Sequence, residues 1–334
     1  VWDFARKEGI WMKFIENILN RPINYGLRAL YHKEMRDHIR SRRMIIVLLV
    51  IFLTSFASLY GALTAIDTTS GNHDYLYLLL FTTSGSSIPS FLTFIALLGP
   101  FVGLSLGFDG IIGEKSERTL YRLTAQPIYR DSIINGKFLA GASIIFMMVY
   151  SMGVLVVAAG LLTTGLAPSG EELARIFVFL LFTGIYICFW LALSLFFSVI
   201  CKNAATSAMA VIAIWLFLSL FMSMLAGIIA DAMFPVTDTW EGVLNASSNY
   251  SCQLALNRIS PYYLYSEAAA TIMNPNIRTI NLISMESLSG AITGYLPFGQ
   301  SLLLVWPHLA GMTALMTAAF AGSYVSFMRQ EIRS

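Results

Sequence analysis

Charge is scarce in this chain. Lys, Arg, Asp and Glu make up 12% of its 334 residues, while 57% are hydrophobic and the mean hydropathy is +0.69. Soluble domains carry about a quarter charged residues, so an ordinary soluble fold is excluded. The net charge of +2 is too small to point to a nucleic-acid partner. Cysteine is equally sparse. Cys188, Cys201 and Cys252 are scattered, odd in number and without a nearby histidine, which indicates neither a zinc site nor a disulfide framework. The opening "VWDFARKEGIWMKFIENILN" is charged and interrupted, which does not read as a signal peptide.

Ionisable groups are also missing from the apolar runs. Asp67, Asp109, Arg175 and Asp231 fall at their edges, and His308 lies alone near the mouth of the last one, where it reads as an interfacial polar residue. Ion-coupled carriers and proton pumps need buried charged groups along the path, so this pattern disfavours them. "EELAR" (Glu171, Glu172, Arg175) echoes the paired glutamates of prenyl-protein proteases, but its spacing is wrong and the intramembrane histidines are absent. With Ser169 as cap and acids in the first turn, "PSGEELAR" reads better as a helix start. "GIIGEKS" and "NGKF" lack the GxxxxGK[ST] spacing that cradles phosphates, and neither follows a buried strand. The chain is therefore expected to be no enzyme and to bind no cofactor itself.

What is abundant is long apolar runs. A bilayer core of about 30 Å needs roughly 20 apolar residues per helix. Six runs qualify, at about 44–66, 88–108, 138–162, 174–200, 204–230 and 306–328. The expected fold is an all-α multi-pass membrane protein. Six spans put both termini on one side. Assigning them to the cytoplasm gathers 18 of the 21 Lys and Arg there, leaving Arg175, Arg258 and Arg278 outside. The positive-inside rule then makes both termini cytoplasmic, in a plasma membrane. The expected layout is a cytoplasmic segment 1–43, five spans over 44–230 with a cytoplasmic loop 109–137, an extracytoplasmic loop 231–305, and the sixth span with a short tail over 306–334.

Two amphipathic pieces precede the first span. Trp11, Phe14, Ile15 and Ile18 recur at helical spacing in one. In the other, Leu27, Leu30, Tyr31 and Ile39 stand among basic residues. Such helices suit the plane of an anionic lipid surface, and they equally serve as a flank that orients the first span. In the long outer loop, Ser260 can cap a helix with Pro261 at its first position and Pro275 beyond its end. "GAITGYLPFGQSLLLVW", broken by glycines and Pro297, either dips into the membrane edge or packs on the outer ends of the spans. The sequons at Asn245 and Asn249 are of a length that occurs by chance.

The most charged stretch away from the N-terminal segment is the cytoplasmic loop 109–137. It follows a ridge of Gly99, Gly103 and Gly107 at the end of the second span, where Pro100 permits a bend. Such a ridge lets another helix approach closely, either within this chain or in a moving or dimerising contact. In "GEKSERTLYRLTAQP", Leu120 and Leu123 face one way, Glu114 and Arg118 can pair at i,i+4, and Pro127 closes the turn. Asp109, Glu114, Glu117 and Asp131 stand beside five basic residues, Arg122 among them. Mixed charge around an apolar knob fits a protein-docking face; a solvated topogenic loop is the plainer alternative.

The run from Asp109 through "GEKSERTLYRLTAQPIYRDSIINGKFLAG" resembles the loop after the second span in ABC-2-type transporter permeases, which reads roughly as an acid, E-[KR]-x-x-G-T-L, S-x-P-[IV]-x-R and a G-K opening the next span. "YHKEMRDHIRSRRMIIVLLV" is similar to the family's amphipathic connecting helix. "PSGEELARIFVFLLF", "SPYYLYSEA" and "MRQEIRS" extend the likeness over the chain. Arg118 stands where the family often has Gly, and Ala125 where Ser is common.

The resemblance implies a six-span permease of type V exporter-like architecture, working as a homo- or heterodimer of permease chains. Glu114, Glu117, Arg118, Leu120, Arg122, Leu123 and Pro127 would couple it to a separate nucleotide-binding subunit that holds ATP and Mg. Membrane lipid and an accessory protein at the extracytoplasmic loop are further implied partners. The rival from another class is a non-transporting membrane anchor or an assembly or maturation factor associated with an ATPase.

Overall fold

In the computed structural model, residues 22–66, 75–85, 88–117, 119–120, 128–237, 240–275 and 296–330 are described. Within them the regular structure is entirely helical, as lipid requires, since only helices or closed barrels satisfy every backbone group there. An amphipathic helix, α1 (Pro22–Arg40), turns at Ser41 into the first span, α2 (Arg42–Ala65). A short helix, α3 (Leu76–Thr82), precedes the second span, α4 (Phe91–Gly107), which continues through α5 (Ile112–Ser116). The third and fourth spans are α6 (Arg130–Thr164) and α7 (Gly170–Ile200). The fifth is α8 (Ala204–Leu216), a π-helical turn at Phe217–Phe221, and α9 (Met222–Met233). Then come α10 (Trp240–Asn257), α11 (Pro261–Met273) and the sixth span, α12 (Phe298–Arg329). Among the described residues, six helices are thus long and apolar enough to cross a membrane.

Their ends depart from the sequence expectation in two informative places. The third span starts at Arg130 rather than 138, and the sixth at Phe298 rather than 306. A hydropathy window stops where polar or breaker residues begin, but a helix need not. Arg130 and Asp131 are compatible with a first turn, and Pro297 stands just before α12, where its missing N–H costs nothing. The apolar α3 was not expected at all. Its Tyr77 donates from the backbone to Glu172 Oε1 at 2.9 Å and from the ring hydroxyl to the Leu166 carbonyl, tying it to α7 and the segment before it.

The fourth span is the hub. It packs against α4, α6, α8, α11 and α12, and it is the most buried of the six, whereas the fifth is the least. Its start is fixed by a capping box: Ser169 Oγ accepts from Glu172 N, and Glu172 returns a bond to Ser169 N. Helix α11 begins as the sequence predicts, with Ser260 Oγ accepting from Tyr263 N and Pro261 at its first turn. Instead of lying on the surface it enters the core. Tyr265 is fully buried, stacks on Tyr186 of α7 at 4.4 Å and hydrogen-bonds Thr183 at 2.9 Å.

The glycine ridge meets α7. A Cβ at Gly103 would stand 2.7 Å from both the Ile187 carbonyl oxygen and the Leu191 nitrogen, and one at Gly107 2.8 Å from Ser194 Cβ. Gly99 faces Ile187 on the same helix. The ridge is therefore occupied inside the chain, packed on the fourth span rather than left as a free face. Of the two sequons, Asn249 is buried and donates to Asp231 Oδ1 and the Phe234 carbonyl at 2.8 and 2.9 Å.

Candidate functional site

Three helices meet where α4 ends. The end of α4 with α5, the start of α6, and the inner face of α1 enclose an open cavity of about 470 Å³. Half of the residues in its wall are charged, and the charges are arranged. Lys33 Nζ and Lys137 Nζ each reach both Glu34 Oε1 and Glu114 Oε1, at 2.8–2.9 Å. The result is an alternating square of two ammonium and two carboxylate groups, contributed by α1, α5 and α6. Beside it, Arg43 pairs with Asp109 and lies over the Phe108 ring.

Burial makes this square consequential. The side chains of Lys137 and Glu34 are only 6% and 7% exposed. Burial alone would raise the Glu34 carboxyl, but the Lys137 ammonium, aided by Lys33, outweighs it and holds Glu34 below its ordinary value. Burial likewise works to lower Lys33, yet its bonds to Glu114 and Glu34 push it above the ordinary lysine value. Lys33 and Glu34 therefore stay charged at neutral pH. A buried group that has lost its water holds its partner firmly, because breaking such a pair strands a charge.

The residues predicted from the sequence divide as follows. Glu114 is in the square, bonded to Lys33 and Lys137 from distant elements. Glu117 is exposed beside Lys115 and Ser116. Leu120, expected as an outward apolar tooth, is only 2% exposed and is an interior contact of this chain. Arg118, Arg122, Leu123 and Pro127 lie outside the described residues, as does the first amphipathic piece around Trp11. Sequence reasoning missed Lys33, Glu34 and Lys137. Glu34 carried one signal: an acid four places after Leu30 on the apolar face of a basic helix.

The opposite end of the bundle corrects the expectation of an uncharged interior. Glu267 of α11 is wholly buried, receives Arg258 on both carboxylate oxygens, and bonds His308 Nε2 at 2.9 Å. His308 is itself buried and bonded, so it does not stand alone at a surface. Arg175, placed at an edge by the sequence, is 0% exposed and bonds Glu171, Ser301 and the carbonyls of Ile272 and Leu296. The argument that a bare interior disfavours ion coupling loses its premise at this end. The charge there was hidden because its acid arrives on α11, from outside any apolar run.

Residues 28–332 match the family model described as ABC-2 family transporter protein. No curated protein matches the chain.

Proposed function

Because the chain belongs to the ABC-2 family of transporter proteins, we propose that it is the membrane half of an ATP-driven exporter whose nucleotide-binding subunit is a separate chain. As a member of that family with six spanning helices, it is a multi-pass membrane permease rather than a catalyst. ATP and Mg would be held by the partner subunit, and a second permease copy or paralogue would complete the pathway. Both termini would face the cytoplasm, since that orientation collects 18 of 21 basic residues on one side.

The observation that carries the coupling reading is Glu114. It sits in the stretch after α4 and is bonded directly to Lys137 at the foot of the third span and to Lys33 of α1. A push on that stretch is passed through two short ion pairs, one to the buried Lys137 and one to the more exposed Lys33. Among the described residues of the stretch, Lys115, Ser116 and Glu117 face outward toward the ATPase, while Leu120 anchors the stretch from inside.

The combined reversal Lys115→Glu with Glu117→Lys should leave insertion and thermal stability near wild type and lower both ATPase pull-down and vesicle transport several-fold. Rim charges set register and on-rate, each contributing about 0–1 kcal/mol. Wild-type pull-down and transport in that variant would reduce the stretch to a topogenic loop. Pull-down without transport in the wild type would favour an anchor or assembly factor. For orientation, in a background lacking Cys188, Cys201 and Cys252, a cysteine replacing the exposed Ser248 should react with an impermeant thiol reagent in intact cells. A cysteine replacing Ser334 should not, and labelling of that tail position would reverse the topology.

A further inference from the structure

The two faces of α1 do different things. Its inner face carries Leu30, Glu34 and the half-buried Met35 and His38 against the bundle. Its outer face carries Arg28, His32, Arg36 and Arg40, at successive steps of four, all exposed. At 3.6 residues per turn these four fall within about 120° of the helix surface. Among the described residues no carboxylate pairs with Arg28, Arg36 or Arg40. The acids that do lie on α1 are taken: Glu34 faces inward in the square, and Asp37 pairs with Lys33.

Within the same arc stands Ile39, 58% exposed. The arc ends at Arg40, with only Ser41 between it and the first span, whose Ile45 and Ile46 are also outward-facing, at 54% and 62%. A row of unpaired guanidinium groups interleaved with an exposed isoleucine, running into an outward-facing apolar surface, has the chemistry of the phosphate–acyl boundary. An acidic protein surface would complement the charges but leave Ile39 without a match.

We propose that the outer stripe of α1 binds the headgroups of anionic phospholipid, and that this lipid holds α1 in the position from which Lys33 reaches Glu114 and Glu34 reaches Lys137. Guanidinium groups present paired donors that match phosphate oxygens, and each basic residue near an anionic surface contributes roughly fivefold to binding. The binding half stands on α1 alone. The regulatory half rests on the reading of the chain as an ATP-driven permease.

The purified full chain would be reconstituted with phosphatidylglycerol and phosphatidylcholine, and retained lipid counted by native mass spectrometry. Wild type should retain phosphatidylglycerol preferentially. Combining Arg28→Ser, Arg36→Ser and Arg40→Ser should weaken that retention on the order of a hundredfold, the matching lysine triple should keep most of it, and Lys202→Ser, exposed on another loop, should change nothing. Equal retention in wild type and the serine triple overturns the proposal. So does a serine triple that keeps its lipid but loses ATPase pull-down, which would assign the stripe to an acidic protein. In vesicles containing the permease and its ATPase, replacing phosphatidylglycerol by phosphatidylcholine should lower wild-type transport several-fold and leave the serine triple at its already lowered level. Preferential retention with no lipid effect on transport would sink the regulatory half, and absence of transport in every lipid would instead sink the permease reading.

Discussion

Arg175→Ala should lower the stability of the detergent-solubilised protein by about 3–5 kcal/mol. The guanidinium is wholly buried and every one of its five N–H groups has an acceptor: Nε and one Nη2 hydrogen go to Glu171, the other to Leu296 O, and Nη1 to Ile272 O and Ser301 Oγ. These bonds join the start of α7 to the end of α11 and the first turn of α12. Without the arginine, two buried carbonyls lose a charged donor, at about 1–3 kcal/mol each, and a cavity opens beside them. Glu171 is 28% exposed and recovers water, so it adds little. Arg175→Lys should lose roughly half as much, since an ammonium has three donors and no fork, and Ser301→Ala about 1 kcal/mol. Thermal melting of the three variants makes the comparison. An Arg175→Ala melt close to wild type would mean that this cluster does not hold α11 and α12 in place.

Gly103→Leu is expected to separate the second span from the fourth, costing more than about 3 kcal/mol. The atoms that a new Cβ would strike are Ile187 O and Leu191 N, both at 2.7 Å and both backbone, so no rotamer change relieves them. The helices must move apart, and in lipid their association depends on close packing because no hydrophobic drive remains to compensate. Gly103→Ala should already cost about 1–3 kcal/mol. Gly170→Ala is the control, since nothing lies within 4 Å of that position. The leucine variant should insert into the membrane yet run as a broad, protease-sensitive species on gel filtration. A sharp peak with wild-type melting would show that α4 and α7 can part without loss.

Much of the fold can be read along the chain. Runs such as "MIIVLLVIFLTSFASLYGALTAI" announce spans because transfer into hydrocarbon depends on composition over about 20 residues and not on which neighbour is met. The caps at Ser169 and Ser260 and the small-residue row at Gly99, Gly103 and Gly107 are likewise local statements. The stretch 109–137 could be singled out because charge is rare elsewhere.

Which face of each span meets protein was not readable in the same way. Lipid and protein interior are both apolar, so a spanning helix has no polar side to mark its outer surface. The fourth span lies at the centre and the fifth at the edge, although their mean hydropathies are nearly equal, 2.5 and 2.4. The partners of the polar groups were hidden for a related reason. Lys33 with Glu114, Glu34 with Lys137, Arg175 with Leu296, and Glu267 with His308 lie 81, 103, 121 and 41 residues apart. No periodicity links such positions. What the sequence determined by itself was the class of molecule, its six crossings and its charge asymmetry, all additive properties of short segments. Packing of the helices is what turns Leu120 inward, closes the square around Glu114, and lets α11 carry a carboxylate into the core. Those outcomes depend on which helices come within about 3 Å of one another, and that is set by packing the whole bundle.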